Sequence, residues 1–148
     1  MSSPNIKPLA HDVIEKKGNT YIIRAEKTFT QDEFDSFARI SGDNNPIHVD
    51  PAFSAATRFG RTVSHGMLLY TVIWGRIQTY FPQSLQRSQY LMFPAGTYTG
   101  ELMEIELHVT PTSSAGEFEI KGEIRRAADG VVTCESISVI QYSGVLPC

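Results

Sequence analysis

The feature that most constrains the fold is a long apolar helix, predicted from His65 to Phe81. Apolar residues occupy nearly all of its circumference, so we expect this helix to be buried inside the protein. Pro82 ends it, because proline does not continue a helix. Gly75 and Arg76 interrupt the apolar run, which is also shorter than the ~20 residues that cross a bilayer. We therefore interpret it as the central helix of a core and predict no membrane span.

Strands dominate the rest of the chain. A first strand is predicted from the alternation of apolar and polar residues over 21–29. Four more follow the helix, over residues 88–93, 102–110, 117–126 and 131–143, and a turn at 128–130 joins the last two. One strand, a helical segment and a run of antiparallel strands indicate an α+β fold, a single antiparallel sheet wrapped around the central helix.

Two shorter helices are predicted between the first strand and the central helix. Thr30 and Glu33 form a capping box, with Phe29 and Phe34 placed as a hydrophobic staple, and Ser41-Gly42 ends this helix. The second begins with Asp50 as N-cap and Pro51 at the first helical position, and Gly60 ends it.

Size and charge narrow the class of protein. The 148 residues suit one domain, taken as 1–148 with an N-terminal extension over 1–19. A net charge of −3 predicts no nucleic-acid or anionic-membrane partner. The two cysteines form neither a disulfide framework nor a metal-site spacing. No signal peptide and no C-terminal peroxisomal address are seen, so we expect a cytoplasmic protein, with the peroxisome as the alternative.

Candidate chemistry concentrates in the loop over residues 41–51. Asp43 and His48 lie five residues apart with Pro46 fixing the backbone between them, so both can converge on one water. Adding water to an activated double bond needs a base, an acid and donors for the charge that grows on a carbonyl oxygen. Asp43 and His48 supply the proton transfers, in either order. Gly66 opens the central helix, where free N–H groups stabilise such an oxygen.

The same loop resembles the hydratase-2 signature of MaoC-like enzymes, over the stretch Ile40-Ser41-Gly42-Asp43-Asn44-Asn45-Pro46-Ile47-His48-Val49-Asp50-Pro51. Residues 59–68 are similar to the same family's start of its central helix. The resemblance implies a hot-dog fold and an (R)-specific enoyl-CoA hydratase or dehydratase. It implies that Asp43 and His48 hold and activate the water, that the Gly66 N–H binds the thioester carbonyl, and that Asn45 braces the loop.

The resemblance also implies a substrate and an assembly. The substrate is an acyl thioester, with coenzyme A or an acyl carrier protein as its carrier, and no cofactor or metal is expected. The calcium-site interpretation of the acidic loop fails because the glycine and glutamate of an EF-hand are missing. A sheet of about five strands leaves an exposed edge, which relatives pair about a two-fold axis, so a homodimer is predicted.

Four residues are candidates for substrate binding: Asn45, His65, Tyr70 and Trp74. His65 is favoured as a hydrogen-bonding group at the helix start, over a ligand or base. Tyr70 and Trp74 lie four residues apart on one helix face, where they either fill the core or line the cavity. Bulk at these positions, where relatives tend to carry small residues, predicts short, branched or ring-bearing substrates. Four arginines, at positions 58, 61, 76 and 87, are solvated side chains or contacts for coenzyme A phosphates.

Two other functional classes fit the pattern. One is a hot-dog enzyme recruited to dehydration, isomerisation or cyclisation of a specialised metabolite, or to binding without catalysis. The other is a hot-dog thioesterase, which generally places a carboxylate on or near the central helix and lacks this loop. Asp43 and His48 together favour the hydratase.

Overall fold

A computed structural model of the chain describes residues 11–147 and contains one antiparallel sheet packed on a central helix. The strands are β1 (Val13–Lys17), β2 (Thr20–Thr28), β3 (Leu85–Met92), β4 (Leu102–Pro111), β5 (Glu117–Arg126) and β6 (Val132–Gln141). The helices are α1 (Gln31–Ser41), α2 (Pro46–Val49), α3 (Pro51–Ala55) and α4 (Gly66–Tyr80). The sheet order is β1-β2-β4-β5-β6-β3. The predicted α+β architecture is confirmed.

The core lies between α4 and the concave face of the sheet. Ile73 and Ile77 of α4 are fully buried, and apolar side chains of alternate strand positions meet them. Gly122 of β5 has little space around it, because a methyl group there would lie 2.5 Å from Ser136 Oγ and 3.0 Å from Leu107 Cδ2 on the neighbouring strands. Glycine at this position therefore leaves room for the Ser136 and Leu107 side chains of the adjacent strands.

The expectation that the central helix is buried on all sides is wrong. Met67, Thr71 and Gly75 recur every four residues and form an exposed stripe along α4. Met67, the largest side chain of this stripe, is 51% exposed. The reason is geometric, since one sheet curves around only one side of a helix and leaves the opposite side of this chain open.

The prediction that residues 1–19 form an extension outside the sheet is wrong for its second half. There β1 pairs with β2, from Val13↔Arg24 to Lys17↔Thr20. The sheet thus has six strands, where five were predicted. Residues 1–10 of the predicted extension lie outside the described residues, and the domain bounds stay a prediction. β3 begins at Leu85, three residues before its predicted start, and contains a bulge between Gln86 and Ser88.

The helices between β2 and α4 position the loop that contains Asp43 and His48. The capping box of α1 is present: the Thr30 hydroxyl accepts from the Glu33 N–H, and the Glu33 carboxylate accepts from the Thr30 N–H. Asp50 caps α3 as predicted, accepting from the Phe53 N–H at 3.0 Å, but the helix ends at Ala55 and not at the predicted Gly60. The short helix α2 was not predicted. Asn45 caps it, and it places His48 in its last turn.

Candidate active site

His48 has one defined tautomer, which follows from a single contact. Its Nδ1 lies 2.7 Å from the Val63 carbonyl oxygen, which only accepts, so Nδ1 carries the proton. In the neutral ring the lone pair is therefore on Nε2. The ring is largely buried, with 11% of the side chain exposed. The backbone thus fixes both the orientation of this imidazole and the atom that is free to accept a proton.

Asp43 faces that free nitrogen. Its Oδ2 lies 3.8 Å from His48 Nε2, and 56% of the side chain is exposed. The Asp43 N–H donates to the Ser41 hydroxyl at 3.1 Å, and its Oδ1 accepts from the Asn45 N–H at 3.4 Å. These local bonds hold the carboxylate at the surface beside a buried base, and the gap between the two is too long for a direct hydrogen bond.

His65 connects the loop to the central helix. Its Nε2 lies 2.8 Å from the Asp43 carbonyl, so Nε2–H donates, and the ring stacks on His48 with centroids 3.9 Å apart. On its other side lies the Phe37 ring, at 4.9 Å. Burial lowers the pKa of His65 below its usual 6.5, and the nearby His48 lowers it further, while the Asp43 contacts oppose the shift. His65 is therefore a neutral spacer that fixes Asp43 and His48 together.

The N-terminus of α4 contributes the third part of the site, a free backbone N–H. Gly66 is the first residue of α4, so its N–H has no partner within the helix, and no other acceptor in residues 11–147 pairs with it. Gly66 and His48 border one cavity of about 420 Å³, a size typical of small-molecule sites. The cavity wall is completed by Ile47, Arg58, Phe59, Val63, Ser64, Leu69, Phe93, Pro94, Ala95, Gly96 and Thr97.

The structure brings together only part of the predicted site. His48 and Gly66 share the cavity, and Asp43 lies at His48, whereas Asn45, His65, Tyr70 and Trp74 are outside its lining. Asn45 braces the loop by accepting from the Ile47 N–H at 3.2 Å. Tyr70 and Trp74 pack against the core, and the Tyr70 hydroxyl accepts a hydrogen bond from Gln86 on β3. Their predicted role in binding stays a prediction.

Two aromatic residues of the cavity wall were missed. Phe59 lies within residues 59–68, which resemble the family, so this resemblance could have identified Phe59 as a candidate. Phe93 follows the last residue of β3 and precedes a proline, which marks a loop but not what the loop covers. Only the pairing of β3 with β6, at the far end of the sheet order, brings it to α4.

Three side chains offer ligand atoms for a metal ion, since Asp43, His48 and His65 each place one within 4.8 Å of the others. However, one nitrogen of each imidazole already donates to a backbone carbonyl. The predicted absence of a metal stays a prediction. Within residues 11–147, none of the helices has both the length and the apolar character required to span a bilayer.

Comparison with known proteins gives consistent matches. Residues 13–129 match the family described as MaoC like domain. An (R)-specific enoyl-CoA hydratase of Aeromonas caviae is 38% identical over 89 residues, 59% of this chain and 66% of that enzyme. A 3-hydroxybutyryl-CoA dehydratase of Methylorubrum extorquens is 32% identical over 108 residues, 72% of this chain and 67% of that enzyme. The matched regions thus span about two thirds of the length of these two curated relatives.

Solved structures agree with the fold. An R-hydratase from Pseudomonas aeruginosa, in its unliganded form, has a TM-score of 0.78 at 25% identity and covers 84% of this chain and 81% of its own. This similarity confirms the predicted hot-dog fold. The relatives named above are hydratases and dehydratases.

Proposed function

The chain belongs to the MaoC-like domain family, and from this membership we propose that it is a hydro-lyase that reversibly adds water to a 2-enoyl thioester, giving an (R)-3-hydroxyacyl product. The names of the two relatives, a hydratase and a dehydratase, correspond to the two directions of such a reaction. One observation carries the proposal. The lone pair of His48 Nε2 and the Asp43 carboxylate face each other beside a cavity that Gly66, whose N–H is free, also lines.

The spacing of the pair suits a water molecule. With 3.8 Å between Asp43 Oδ2 and His48 Nε2, a water oxygen can lie within hydrogen-bond distance of both. Both atoms accept when the carboxylate is ionised and the imidazole neutral, so the water donates to each and presents its oxygen lone pair to the β-carbon. The C–O bond forms there as the π bond breaks, the pair takes one proton from the water, and one proton reaches the α-carbon.

The negative charge of that step develops on the thioester oxygen. Gly66 begins a helix of 15 residues, so its N–H combines a free donor with the positive end of a helix dipole. A preorganised donor of this kind contributes about 3 kcal/mol to transition-state stabilisation in other acyl-group chemistry. The Gly66 N–H therefore suits the carbonyl-binding role.

The carrier of the acyl group is part of the proposal. Of the four candidate arginines, Arg61 pairs with Glu101 and Arg76 with Asp12, while Arg58 has no acidic partner in residues 11–147 and lines the cavity. Its guanidinium lies 4.9 Å from the centre of the Phe59 ring. An unpaired guanidinium suits a phosphate. We expect Arg58→Ala to lower kcat/KM about tenfold for coenzyme A thioesters and little for N-acetylcysteamine thioesters, which lack phosphate.

A homodimer is proposed on the basis of the sheet edge. β3 is the last strand of the sheet, and its outer side presents Leu85, Tyr90 and Met92, each more than 40% exposed. A strand with one unpaired edge and exposed apolar side chains favours pairing with a second copy. Sedimentation equilibrium should give twice the 16.5 kDa chain mass. A single-chain mass at micromolar concentration would contradict the dimer.

The function is tested by a stereochemically resolved assay. Purified protein is incubated with short, medium and branched trans-2-enoyl-CoA thioesters, and loss of the enoyl ultraviolet absorbance is followed while the 3-hydroxyacyl product is resolved on a chiral column. We expect the (R)-product alone. Release of free thiol without hydration would indicate a thioesterase, and no turnover of any thioester would support a recruited enzyme.

A further inference from the structure

The segment Phe93-Pro94-Ala95 between β3 and β4 lines the cavity without hydrogen bonds of its own to the rest of residues 11–147. Phe93 is 39% exposed. Both flanks are fixed: Met92 pairs with Glu135 in the sheet, and the Gly96 carbonyl accepts two bonds from the Arg126 guanidinium, at 2.9 and 3.2 Å. The backbone thus positions the segment at its two ends, and its middle is held by side-chain packing.

Within this segment, the Phe93 ring lies directly on Gly66. A methyl group built on Gly66 would lie 2.8 Å from both Cδ2 and Cε2 of the ring and 3.0 Å from Cγ. Such distances are far below ordinary carbon contacts of ~3.5–4.0 Å. The aromatic ring therefore fills the space that a side chain at the first position of α4 would take, immediately beside the free N–H.

We propose that Phe93 determines specificity at the α-carbon of the substrate. This inference rests on the proposed function, in which the carbonyl oxygen binds the Gly66 N–H and the β-carbon meets the water held by Asp43 and His48. The α-carbon then lies between these two points, next to the ring that covers Gly66. A hydrogen on that carbon fits against the ring, and a methyl group there needs room that the ring occupies.

The inference differs from the predicted role of Tyr70 and Trp74. Those residues were assigned to the length of the acyl chain and lie outside the cavity lining, whereas Phe93 lies inside it. Phe93 acts at the reacting carbons, and its effect is independent of chain length. A four-carbon substrate therefore suffices to test it.

The first test compares crotonyl-CoA with 2-methylcrotonyl-CoA, which differ by one methyl group on the α-carbon. We expect the parent protein to prefer crotonyl-CoA at least tenfold in kcat/KM, and Phe93→Ala to reduce that ratio about tenfold. Phe93→Leu, which keeps apolar bulk, serves if the alanine variant does not fold. Phe53→Ala is the matched control, because Phe53 is 48% exposed on α3 and lies outside the cavity.

The outcomes separate the two proposals. Turnover of trans-2-enoyl-CoA thioesters by the parent protein tests the proposed function, and its absence for all of them, crotonyl-CoA included, overturns both. Turnover with equal rates for the two substrates, or a ratio that Phe93→Ala leaves unchanged, overturns the role of Phe93 alone.

A second test measures the ring contact without activity. Gly66→Ala should lower the melting temperature, because the new methyl group meets the Phe93 ring. In the Phe93→Ala background the same change should lower it by less than half as much. Additive shifts in the double-mutant cycle would show that the ring does not rest on Gly66, and would also overturn the role of Phe93.

Discussion

The two ends of α4 differ in their burial and in whether their polar groups have partners. At its N-terminus His65 makes no side-chain cap, the Gly66 N–H is free, and the neighbouring Asp43 side chain is 56% exposed. At its C-terminus Tyr80 and Phe81 are completely buried. There Phe81 meets Phe118 and, edge-on, Tyr142, with ring centroids 6.2 and 5.3 Å apart.

The difference shows how one helix serves both function and stability. Polar groups without partners at the first end are costly in isolation but suit a ligand that provides those partners. At the second end the Tyr80 hydroxyl donates to Asp12 at 2.6 Å, and Arg76 lies 3.1 Å from the same carboxylate. Substitutions at the two ends should therefore separate turnover from folding.

The largest effect is expected at the N-terminal end. Asp43→Asn and His48→Ala should each lower kcat about 10²–10⁴-fold, because each removes an acid–base group. Neither should change the fold, which circular dichroism can verify. Asn44→Ala, an exposed neighbour in the same loop, is the control and should retain near-parental turnover. Folded Asp43 or His48 variants with parental activity on the true substrate would refute the mechanism.

At the C-terminal end of α4, we expect a loss of stability without a loss of turnover. Asp12→Ala removes a carboxylate whose side chain is only 2% exposed and leaves Arg76 and Tyr80 without it. Breaking such a pair should cost about 3 kcal/mol of unfolding free energy. Urea titration gives this value, and turnover of the folded fraction should stay near the parental rate. Asp32→Ala, on the exposed face of α1, should cost under ~1 kcal/mol. A proportional loss of activity in Asp12→Ala would contradict the separation of the two ends.

Tyr70 and Trp74 lie between the two ends of α4 and pack against the core. If the sequence prediction holds, Trp74→Ala should raise kcat/KM for long enoyl-CoA substrates relative to short ones by about tenfold. The same change removes a large ring and should cost ~3–5 kcal/mol of stability, so only folded variants are compared. An unchanged chain-length profile in both Trp74→Ala and Tyr70→Ala would assign these rings to the core.

The smallest effect concerns pH. His65 is neutral in the folded protein because burial lowers its pKa below the usual 6.5, so the unfolded chain binds more protons as the pH falls through that value. The stability contributed by neutral His65 is therefore complete above 6.5 and lost progressively below it. Asp43 and His48 are the titratable groups in contact with this ring. Urea unfolding between about pH 5 and 8 should show a shallower decline in His65→Phe than in the parent. Equal slopes of unfolding free energy against pH in the two proteins would contradict a neutral, buried His65.

Local signals made the helices and most strands predictable. The capping box at Thr30 and the apolar run of α4 each lie within one element, so the sequence was sufficient to predict them. β1 was missed because Val13–Lys17 has two apolar residues followed by charged ones, and backbone pairing with β2 defines it. The four-residue helix α2 is too short to show a period.

The site was predictable only where it is local. Asp43, His48 and Gly66 fall within 24 consecutive residues that fold onto each other. Further along α4, Gly66, Tyr70 and Trp74 do not share one line, because four residues advance a helix about 40° beyond one turn. Two such steps turn Trp74 roughly 80° away from Gly66. The opposite wall comes from Phe93–Thr97, which only the sheet topology brings near.

This division between the short loop and the distant wall has an evolutionary consequence. The groups proposed to move protons lie in one continuous block of sequence, together with most of the cavity lining, and the rest of the cavity wall, residues 93–97, lies in a separate block after β3. Each block can then vary while the other is preserved, because the sheet and α4 bring them together. Shuffling of residues 93–97 is therefore a route to altered substrate acceptance that leaves the loop with Asp43 and His48 unchanged.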